Sequence, residues 1–236
     1  MNYPCLRSAV AALGLAAIAG LGGCGLISSD VTNFDLMLSP KKFTIDATRW
    51  SVDQDKADTY LNVSCASNMA LCSSAVQLAC TKDCSGTCNA SQTCDLSLDI
   101  ALAQSVDLVS EKPELKSIND EPVIKVTIDS VTYRVTSNSL NVATPEIQVY
   151  VAPMSVMKPP ATLIGTIPAV AAGEVTAGDQ EMKFTSDGKR QLVDMMNSFK
   201  TPFNVLVGSS IVVRKGQLVP TGKLEAVVNI TGHAGL

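Results

Sequence analysis

The segment Ile124-Lys-Val-Thr-Ile-Asp-Ser-Val-Thr-Tyr-Arg-Val135 places apolar side chains in alternation with polar ones. Successive side chains of a β-strand point to opposite faces, so this pattern predicts a strand with one buried face and one hydrated face. The same alternation recurs along the chain, at Phe34–Leu38, Phe43–Ile45, Leu96–Leu102, Val106–Leu108, Ile147–Val151, Val205–Val213 and Leu224–Ile230. It is typical of antiparallel sheets that share an apolar core.

Turn-forming residues separate these segments, for example at Ser39-Pro40, Lys112-Pro113 and Pro220-Thr221-Gly222. Short alternating segments at this spacing predict about eight to ten strands. We therefore expect residues 33–236 to form one mainly β domain, an antiparallel β-sandwich of the immunoglobulin or fibronectin type.

One segment, residues 187–199, departs from the two-residue period. It is followed by Pro202, it has Ser186 or Asp187 as its expected N-cap, and its apolar positions have helical spacing: Leu192, Met195, Met196 and Phe199. This spacing predicts a short helix. Because methionines on such a face usually belong to the core, we expect the helix to pack across one end of the sandwich.

The order of strand, helix, long strand and final strand over residues 123–232 is similar in layout to the Late Embryogenesis Abundant type-2 sandwiches. The resemblance implies a fibronectin-like sandwich for this half of the chain. It rests on the order of the elements and on no specific motif, so it implies no activity and no site residue.

The composition argues against several classes of function. The chain has 236 residues, a net charge of −4, a pI near 5.0 and a single histidine, His233. With one histidine, the chain has few residues from which to build a Ser-His-Asp triad or a multi-histidine metal site. Its acidic balance offers no basic face for phosphate backbones, so no nucleic-acid partner is expected. The hydrophobic share of 46% is ample for a packed core.

Residues 1–23 have the layout of an export signal. One positive side chain, Arg7, precedes a short apolar run, Ala9–Leu21, and small residues follow the run. About 20 apolar residues are needed to span a bilayer, and this run is shorter. The segment therefore predicts a cleaved signal peptide.

The end of this segment, Leu21-Gly22-Gly23-Cys24, resembles the lipobox of bacterial lipoproteins. The resemblance implies cleavage between Gly23 and Cys24, a diacylglyceryl group on the Cys24 sulfur, and a further acyl chain such as palmitate on the new N-terminus. Two or more chains hold a protein stably on a bilayer. Gly25, where an aspartate would imply the inner membrane, implies the outer membrane, and residues 24–32 then form a lipidated tether. The alternative is an ordinary secretory signal in which Cys24 has no role.

The eight cysteines divide into three groups. Cys5 lies in the expected signal peptide, Cys24 carries the expected lipid, and six lie close together: Cys65, Cys72, Cys80, Cys84, Cys88 and Cys94. An even, clustered set in an exported chain predicts up to three disulfides, whose pairing the spacing leaves open. The alternative is a zinc site of four thiolates, although no C-x-x-C pair is present.

The cysteine block, residues 65–94, lies between two alternating segments, Thr59–Val63 and Asp95–Leu102, that predict strands. We therefore expect a disulfide-linked loop inserted between two strands. A Cys65–Cys94 bridge is one way to close the base of this loop.

Asp53, Asp55 and Asp58 are weak candidates for a calcium loop, because hard cations prefer carboxylate oxygens. An EF-hand loop would need glycine and glutamate where this chain has Asp58 and Ser64, so a hydrated turn is the favoured interpretation. No other metal site and no catalytic residue is predicted, and the covalent lipid on Cys24 stands in place of a cofactor.

These observations together predict a lipoprotein of the bacterial outer membrane that is not an enzyme. We expect a structural or binding module that faces the periplasm or the cell surface and touches an envelope protein or the cell wall through the cysteine block. The alternatives are a periplasmic lipoprotein that binds a small ligand or handles lipid, and a hydrolase. A deep pocket with converging carboxylates would favour a ligand-binding protein or an enzyme, an open apolar cavity would favour lipid handling, and a filled core would favour the binding module.

Overall fold

The computed structural model describes residues 33–117 and 125–235. The expected signal peptide 1–23, including Gly23, and the tether 24–32 with Cys24 lie outside the described residues. None of the helices in the two described ranges is long and apolar enough to cross a membrane.

Strands account for most of the regular structure, as the alternating segments predict. In the described residues they are β1 (Asn33–Met37), β2 (Lys41–Asp46), β3 (Cys84–Cys88), β4 (Cys94–Val106), β5 (Lys125–Asn138), β6 (Ile147–Pro153), β7 (Thr162–Ile167), β8 (Gln180–Glu181), β9 (Lys183–Phe184), β10 (Phe203–Val213) and β11 (Lys223–Gly235). The α-helices are α1 (Gln54–Leu61), α2 (Leu71–Ala75), α3 (Leu108–Glu111) and α4 (Gly188–Asn197), and short 3₁₀ turns lie at Ala47–Trp50, Val76–Leu78 and Pro113–Ser117.

The strands form two antiparallel sheets, so the mainly β prediction is confirmed. The first sheet has the order β1-β11-β5-β8, and β2 pairs with β11 on the same edge as β1. The second sheet has the order β3-β4-β10-β6-β7-β9. Side chains from the two sheets belong to one continuous hydrophobic core.

The longest contact in the six-stranded sheet joins β4 to β10. It runs without a bulge from Val106 opposite Phe203 to Leu96 opposite Val213. This register buries alternate residues of both strands in the core and leaves the residues between them on the outer face of the sheet.

The space between the sheets is filled. Side chains from both sheets, among them Phe43, Ile100, Tyr133, Val207 and Leu224, surround a void of about 30 Å³. That is close to the volume of a single water molecule in the liquid, roughly 30 Å³. A bound small molecule usually occupies roughly 300–1,000 Å³, so this void has no room for one.

The predicted strand Thr59–Val63 is wrong, because residues 54–61 form α1. The Asp53 carboxylate caps this helix by accepting a hydrogen bond from Lys56 N at 3.1 Å. The buried side chains of α1 have helical spacing: Ala57, Tyr60 and Leu61. A capping signal and this spacing outweigh the alternation that suggested a strand.

The helix predicted over residues 187–199 is confirmed as α4, which packs against β7 and β5. Leu192 and Met196 are fully buried on its inner face. Asp187, one of the two predicted caps, occupies the N-cap position. Its carboxylate makes no capping hydrogen bond to the backbone and accepts instead from the Arg190 side chain at 3.0 Å.

Gly188 allows α4 to approach β7. A Cβ at Gly188 would lie 1.8 Å from the Ile164 carbonyl oxygen, whereas a Cβ at Gly178 would meet no atom within 4 Å. We expect Gly188→Ala to lower the free energy of unfolding by about 2–3 kcal/mol, a cost typical of overpacking, and Gly178→Ala to leave it nearly unchanged. Urea denaturation of both variants tests this. Equal midpoints would show that α4 does not sit this close to β7.

The end of β2 is tied to β11 by a charged contact. The Asp46 carboxylate accepts from Thr48 N at 3.0 Å and pairs with Lys223 Nζ at 2.8 Å. The hydrogen bond from Lys223, followed by those from Thr48, lowers the pKa of Asp46 to about 2.

A lowered carboxyl pKa makes this contact dependent on pH. Its contribution to stability is complete above the unfolded pKa of about 4 and is lost as the pH falls through about 2. We expect Asp46→Asn to lower the melting temperature at pH 6 and the gap from wild type to close towards pH 2. Thermal unfolding followed by circular dichroism from pH 6 to pH 2 measures this gap. A gap that stays constant would contradict the prediction.

Candidate functional site

Residues 54–94, which we call the stapled lobe, follow the first two strands and lead into β4. They contain α1, α2 and β3, and the last two lie within the cysteine block, so the predicted disulfide-linked loop includes a short helix and a strand. β3 pairs with β4 from Cys84 opposite Leu98 to Cys88 opposite Cys94. The lobe is therefore continuous with one edge of the six-stranded sheet.

Three disulfides join the six cysteines, as predicted: Cys65–Cys88, Cys72–Cys94 and Cys80–Cys84. The Cys65–Cys94 bridge proposed for the base of the block is wrong. The backbone closes the base instead. Ser64 pairs with Thr93 in an isolated β-bridge, and Cys65 N donates to Gln92 O at 2.9 Å.

The two longer bridges lie side by side in the core of the lobe. The sulfur atoms of Cys65, Cys72 and Cys94 are within 4.8 Å of one another, and all three residues are buried. In the described residues this is the only converging group of metal-ligand side chains. Cys72 and Cys94 are bonded to each other, and Cys65 is bonded to Cys88, so none of the three is the free thiolate that the zinc alternative needs.

Tyr60 of α1 organises the packing of the lobe. Its side chain is buried, and its hydroxyl oxygen lies 3.0 Å from Cys72 O and 3.3 Å from Asp95 O, both of which accept. Burial raises the pKa of Tyr60 to about 12, so the hydroxyl keeps its proton. A Cβ at Gly86 would lie 1.9 Å from Tyr60 Oη. Glycine at this position therefore lets β3 pass directly over α1.

The three weak metal candidates lie on the first turns of α1 and have separate environments. Asp53 caps the helix, and Asp58 accepts from Gln54 Nε2 at 2.9 Å. Asp55 is exposed, and its backbone oxygen accepts from Thr59 Oγ1. These carboxylates begin a helix where we predicted a hydrated turn.

A groove of about 470 Å³ crosses the outer face of the six-stranded sheet, and we call it the outer-face groove. Its floor is formed by outward positions of β4, β10 and β6. One side is the stapled lobe, and another is the loop between β6 and β7. Its polar lining includes Asp83, Asp99, Glu146, Tyr150, Lys158 and Ser210.

The loop between β6 and β7 is fastened to the sheet by Asn204, which is buried on the outer face of β10. Its Nδ2 donates to Met154 O at 3.1 Å and to Val156 O at 2.9 Å. Further along the loop, Pro159 lies over Gly208, where a Cβ would be 2.8 Å from Pro159 Cγ. The glycine therefore allows the loop to rest on the sheet and form a wall of the groove.

Asp83 joins the stapled lobe to this loop. Its side chain is 11% exposed, with Lys158 Nζ 3.0 Å from Oδ1 and Arg49 Nη2 3.6 Å from Oδ2. The hydrogen bond from Lys158 lowers the pKa of Asp83, so the carboxylate stays charged at neutral pH. The residue has φ of 51°, a left-handed conformation that aspartate adopts more readily than most residues.

Two buried side-chain polar atoms in the described residues have no hydrogen-bond partner, Asp83 Oδ2 and Ser210 Oγ. Both residues line the outer-face groove. Folded proteins satisfy nearly all such atoms, and each exception calls for a cause. The groove therefore contains polar atoms that the protein itself leaves without hydrogen bonds.

Sequence reasoning did not find this groove. The lone histidine, His233, lies on the other sheet, where its Nδ1 is 3.1 Å from Asp129 Oδ1 and both side chains are about half exposed. No protein-family model, curated protein or solved structure matches the chain.

The contact between Gly86 and Tyr60 can be tested by a double-mutant cycle. We expect Gly86→Ala to cost about 2–3 kcal/mol in unfolding free energy, because the added Cβ would lie 1.9 Å from the Tyr60 hydroxyl and 2.4 Å from the Cys72 carbonyl oxygen, of which only the first contact depends on Tyr60. In a Tyr60→Phe background the closest overlap is gone, so the same change should cost at least about 1 kcal/mol less. Tyr133→Phe serves as the control background, in which Gly86→Ala keeps its full cost. Equal costs in all three backgrounds would contradict the close approach of β3 to α1.

Proposed function

We propose that this protein is a bacterial lipoprotein, held in the outer membrane by acyl chains on Cys24, and that it acts as a non-catalytic binding or structural module of the cell envelope. The observation that carries the proposal is the lipobox, Leu21-Gly22-Gly23-Cys24, a few residues before a sandwich whose first strand begins at Asn33. The intervening residues provide a short tether between the membrane and the domain.

The disulfides support export. Three bridges within one lobe form and persist in oxidising compartments such as the periplasm and the cell surface. Each bridge contributes roughly 2–4 kcal/mol by restricting the unfolded chain. This stabilisation suits a lobe that must keep its shape while exposed to the envelope.

The filled interior supports contact through the surface over the lipid-handling alternative. A carrier that shields an acyl chain needs a cavity of several hundred Å³, and the void between the sheets is about 30 Å³. The stapled lobe offers an exposed surface of fixed shape instead. Met69 and Leu78 on this lobe are 74% and 65% exposed, which suits them for contact with a protein or cell-wall partner.

The arrangement of the strands bears on the type of sandwich. Two antiparallel sheets that share one core agree with an immunoglobulin- or fibronectin-like sandwich, and we propose this type for the domain. The functional proposal does not depend on this assignment, because surface loops carry binding in many sandwich architectures.

Intact mass and membrane partition test the anchor. We expect protein from membrane fractions to lack residues 1–23 and to carry the mass of a diacylglyceryl group and one further acyl chain. Cys24→Ser should remove the lipid and release the protein from the membrane, since one cysteine provides the attachment. The control Cys5→Ser alters a residue that is cleaved away and should change nothing in the mature protein.

The outcome that contradicts the proposal is an unlipidated mature mass, or a Cys24→Ser variant that still partitions with membranes. Protease treatment of intact and permeabilised cells then distinguishes a surface-facing domain from a periplasmic one.

A further inference from the structure

We infer that the outer-face groove binds a primary ammonium group carried on an aliphatic chain. This site goes beyond the proposed envelope function, which requires no ligand in the groove. The inference rests on the charges, the hydrogen-bonding atoms and the ring that line the groove.

The first step is the placement of two carboxylates by the strand register. Asp99 of β4 lies opposite Ser210 of β10, and Gln148 of β6 lies opposite Gly208 of β10. Glu146 is the next outward position beyond Gln148 and is therefore level with Ser210. Neighbouring strands are about 4.8 Å apart, so the two acidic residues flank Ser210 with Cα atoms about 10 Å apart.

The second step is the charge of the groove. Asp83 is neutralised by Lys158 and Arg49, whereas Asp99 and Glu146 form no ion pair with any described residue. Both unpaired carboxylates are exposed. The lining of the groove has three carboxylates, those of Asp83, Asp99 and Glu146, and one ammonium group, that of Lys158, and this excess of negative charge attracts a cation and repels an anion.

The third step concerns hydrogen bonds. Ser210 Oγ is buried and has no hydrogen-bond partner, and the register places the Ser210 backbone between those of Asp99 and Glu146. An ammonium group has three N–H donors and no acceptor. It can donate to Asp99 and Glu146, and with a small movement of the lining side chains that cover Ser210 Oγ it can also donate to this unpaired oxygen.

The fourth step is the shape of the end of the groove. Tyr150 and Pro159 enclose Gly208, where a Cβ would lie 3.2 Å from Tyr150 Cε2 and 2.8 Å from Pro159 Cγ. This end offers an aromatic ring and a proline ring for the methylene groups that carry the charge.

The chain itself provides a precedent for this chemistry. Lys158 places its own ammonium group in the groove, 3.0 Å from Asp83 Oδ1. The proposed ligand would make the same kind of charge-assisted hydrogen bond to Asp99 and Glu146. Such a group comes from two sources, a free polyamine or a lysine side chain of a peptide.

The test titrates the full-length protein, in a non-ionic detergent at low salt, with spermidine and separately with an acetylated and amidated tri-lysine peptide. We expect shifts in the NMR signals of the Gly208 and Ser210 amides with at least one probe. Binding of spermidine alone identifies a free polyamine as the source, and binding of the peptide alone identifies a lysine side chain. Each result supports the inference, and failure of both probes overturns it.

Variants then locate the site. The double variant Asp99→Asn, Glu146→Gln should weaken binding by roughly tenfold or more, because it removes both charge-assisted acceptors. The control double variant Asp55→Asn, Glu181→Gln makes the same change in net charge at exposed positions outside the groove, and it should bind like wild type. If the two double variants weaken amine binding equally, the weakening comes from the change in net charge alone, and the inference that the groove is the binding site is wrong.

Measurements on the wild-type protein keep the test independent of folding in the variants. Tetramethylammonium has charge but no N–H donor, so it should shift the Gly208 and Ser210 signals at least about tenfold more weakly than spermidine. If calcium chloride or maltotriose shifts these signals and the amines do not, the groove is a metal or sugar site and the inference is wrong. The lipid on Cys24 plays no part in these NMR measurements. The inference about the groove and the proposal of a lipid anchor can therefore be refuted independently.

Discussion

The pairing of β4 with β10 is the constraint on which the rest of the structure depends. These two strands place Leu98 and Ile211 in the core and Asp99 and Ser210 on the outer face. A slip of one residue would exchange the two sets, exposing aliphatic side chains and burying a carboxylate without a partner. The same register that fills the interior thus also lays out the floor of the outer-face groove, and both features are consequences of one hydrophobic pattern.

Much of the fold could be predicted because apolar alternation reports burial directly. The long strands and α4 were predicted in this way, and clustering of cysteines was enough to predict three bridges. The sequence also contained the signal for α1, although the alternation over Thr59–Val63 led to a strand prediction: Asp53 caps the helix, and Ala57 and Leu61 are four residues apart. Disulfide pairing could not be predicted, because Cys65 and Cys94 have sulfur atoms within 4.8 Å yet bond to other partners. Pairing at that distance depends on the direction of each side chain, which spacing along the chain does not encode.

The outer-face groove could not be predicted for a different reason. Its residues come from the turn before β3, from β4, β6 and β10, and from the loop after β6, and each one taken alone is an ordinary residue of a strand or loop. Only the register of three strands places Asp99 level with Ser210, and only tertiary packing places Lys158 against Asp83. The stretch most unlike an ordinary sandwich, the cysteine block, contributes a single carboxylate to the groove.

That single carboxylate, Asp83, connects the disulfides of the stapled lobe to the outer-face groove. Cys80 and Cys84 are bonded four residues apart, and Asp83 lies within the short loop that they close, with φ of 51°. The closed loop limits the backbone conformations open to Asp83, and its carboxylate is fixed further by Lys158 and Arg49. Because this carboxylate is neutralised by the chain, the net attraction for a ligand is left to Asp99 and Glu146 on the sheet itself. The stapled lobe therefore shapes one wall of the groove, while the rigid β4–β10–β6 surface holds the unpaired charges at a fixed separation.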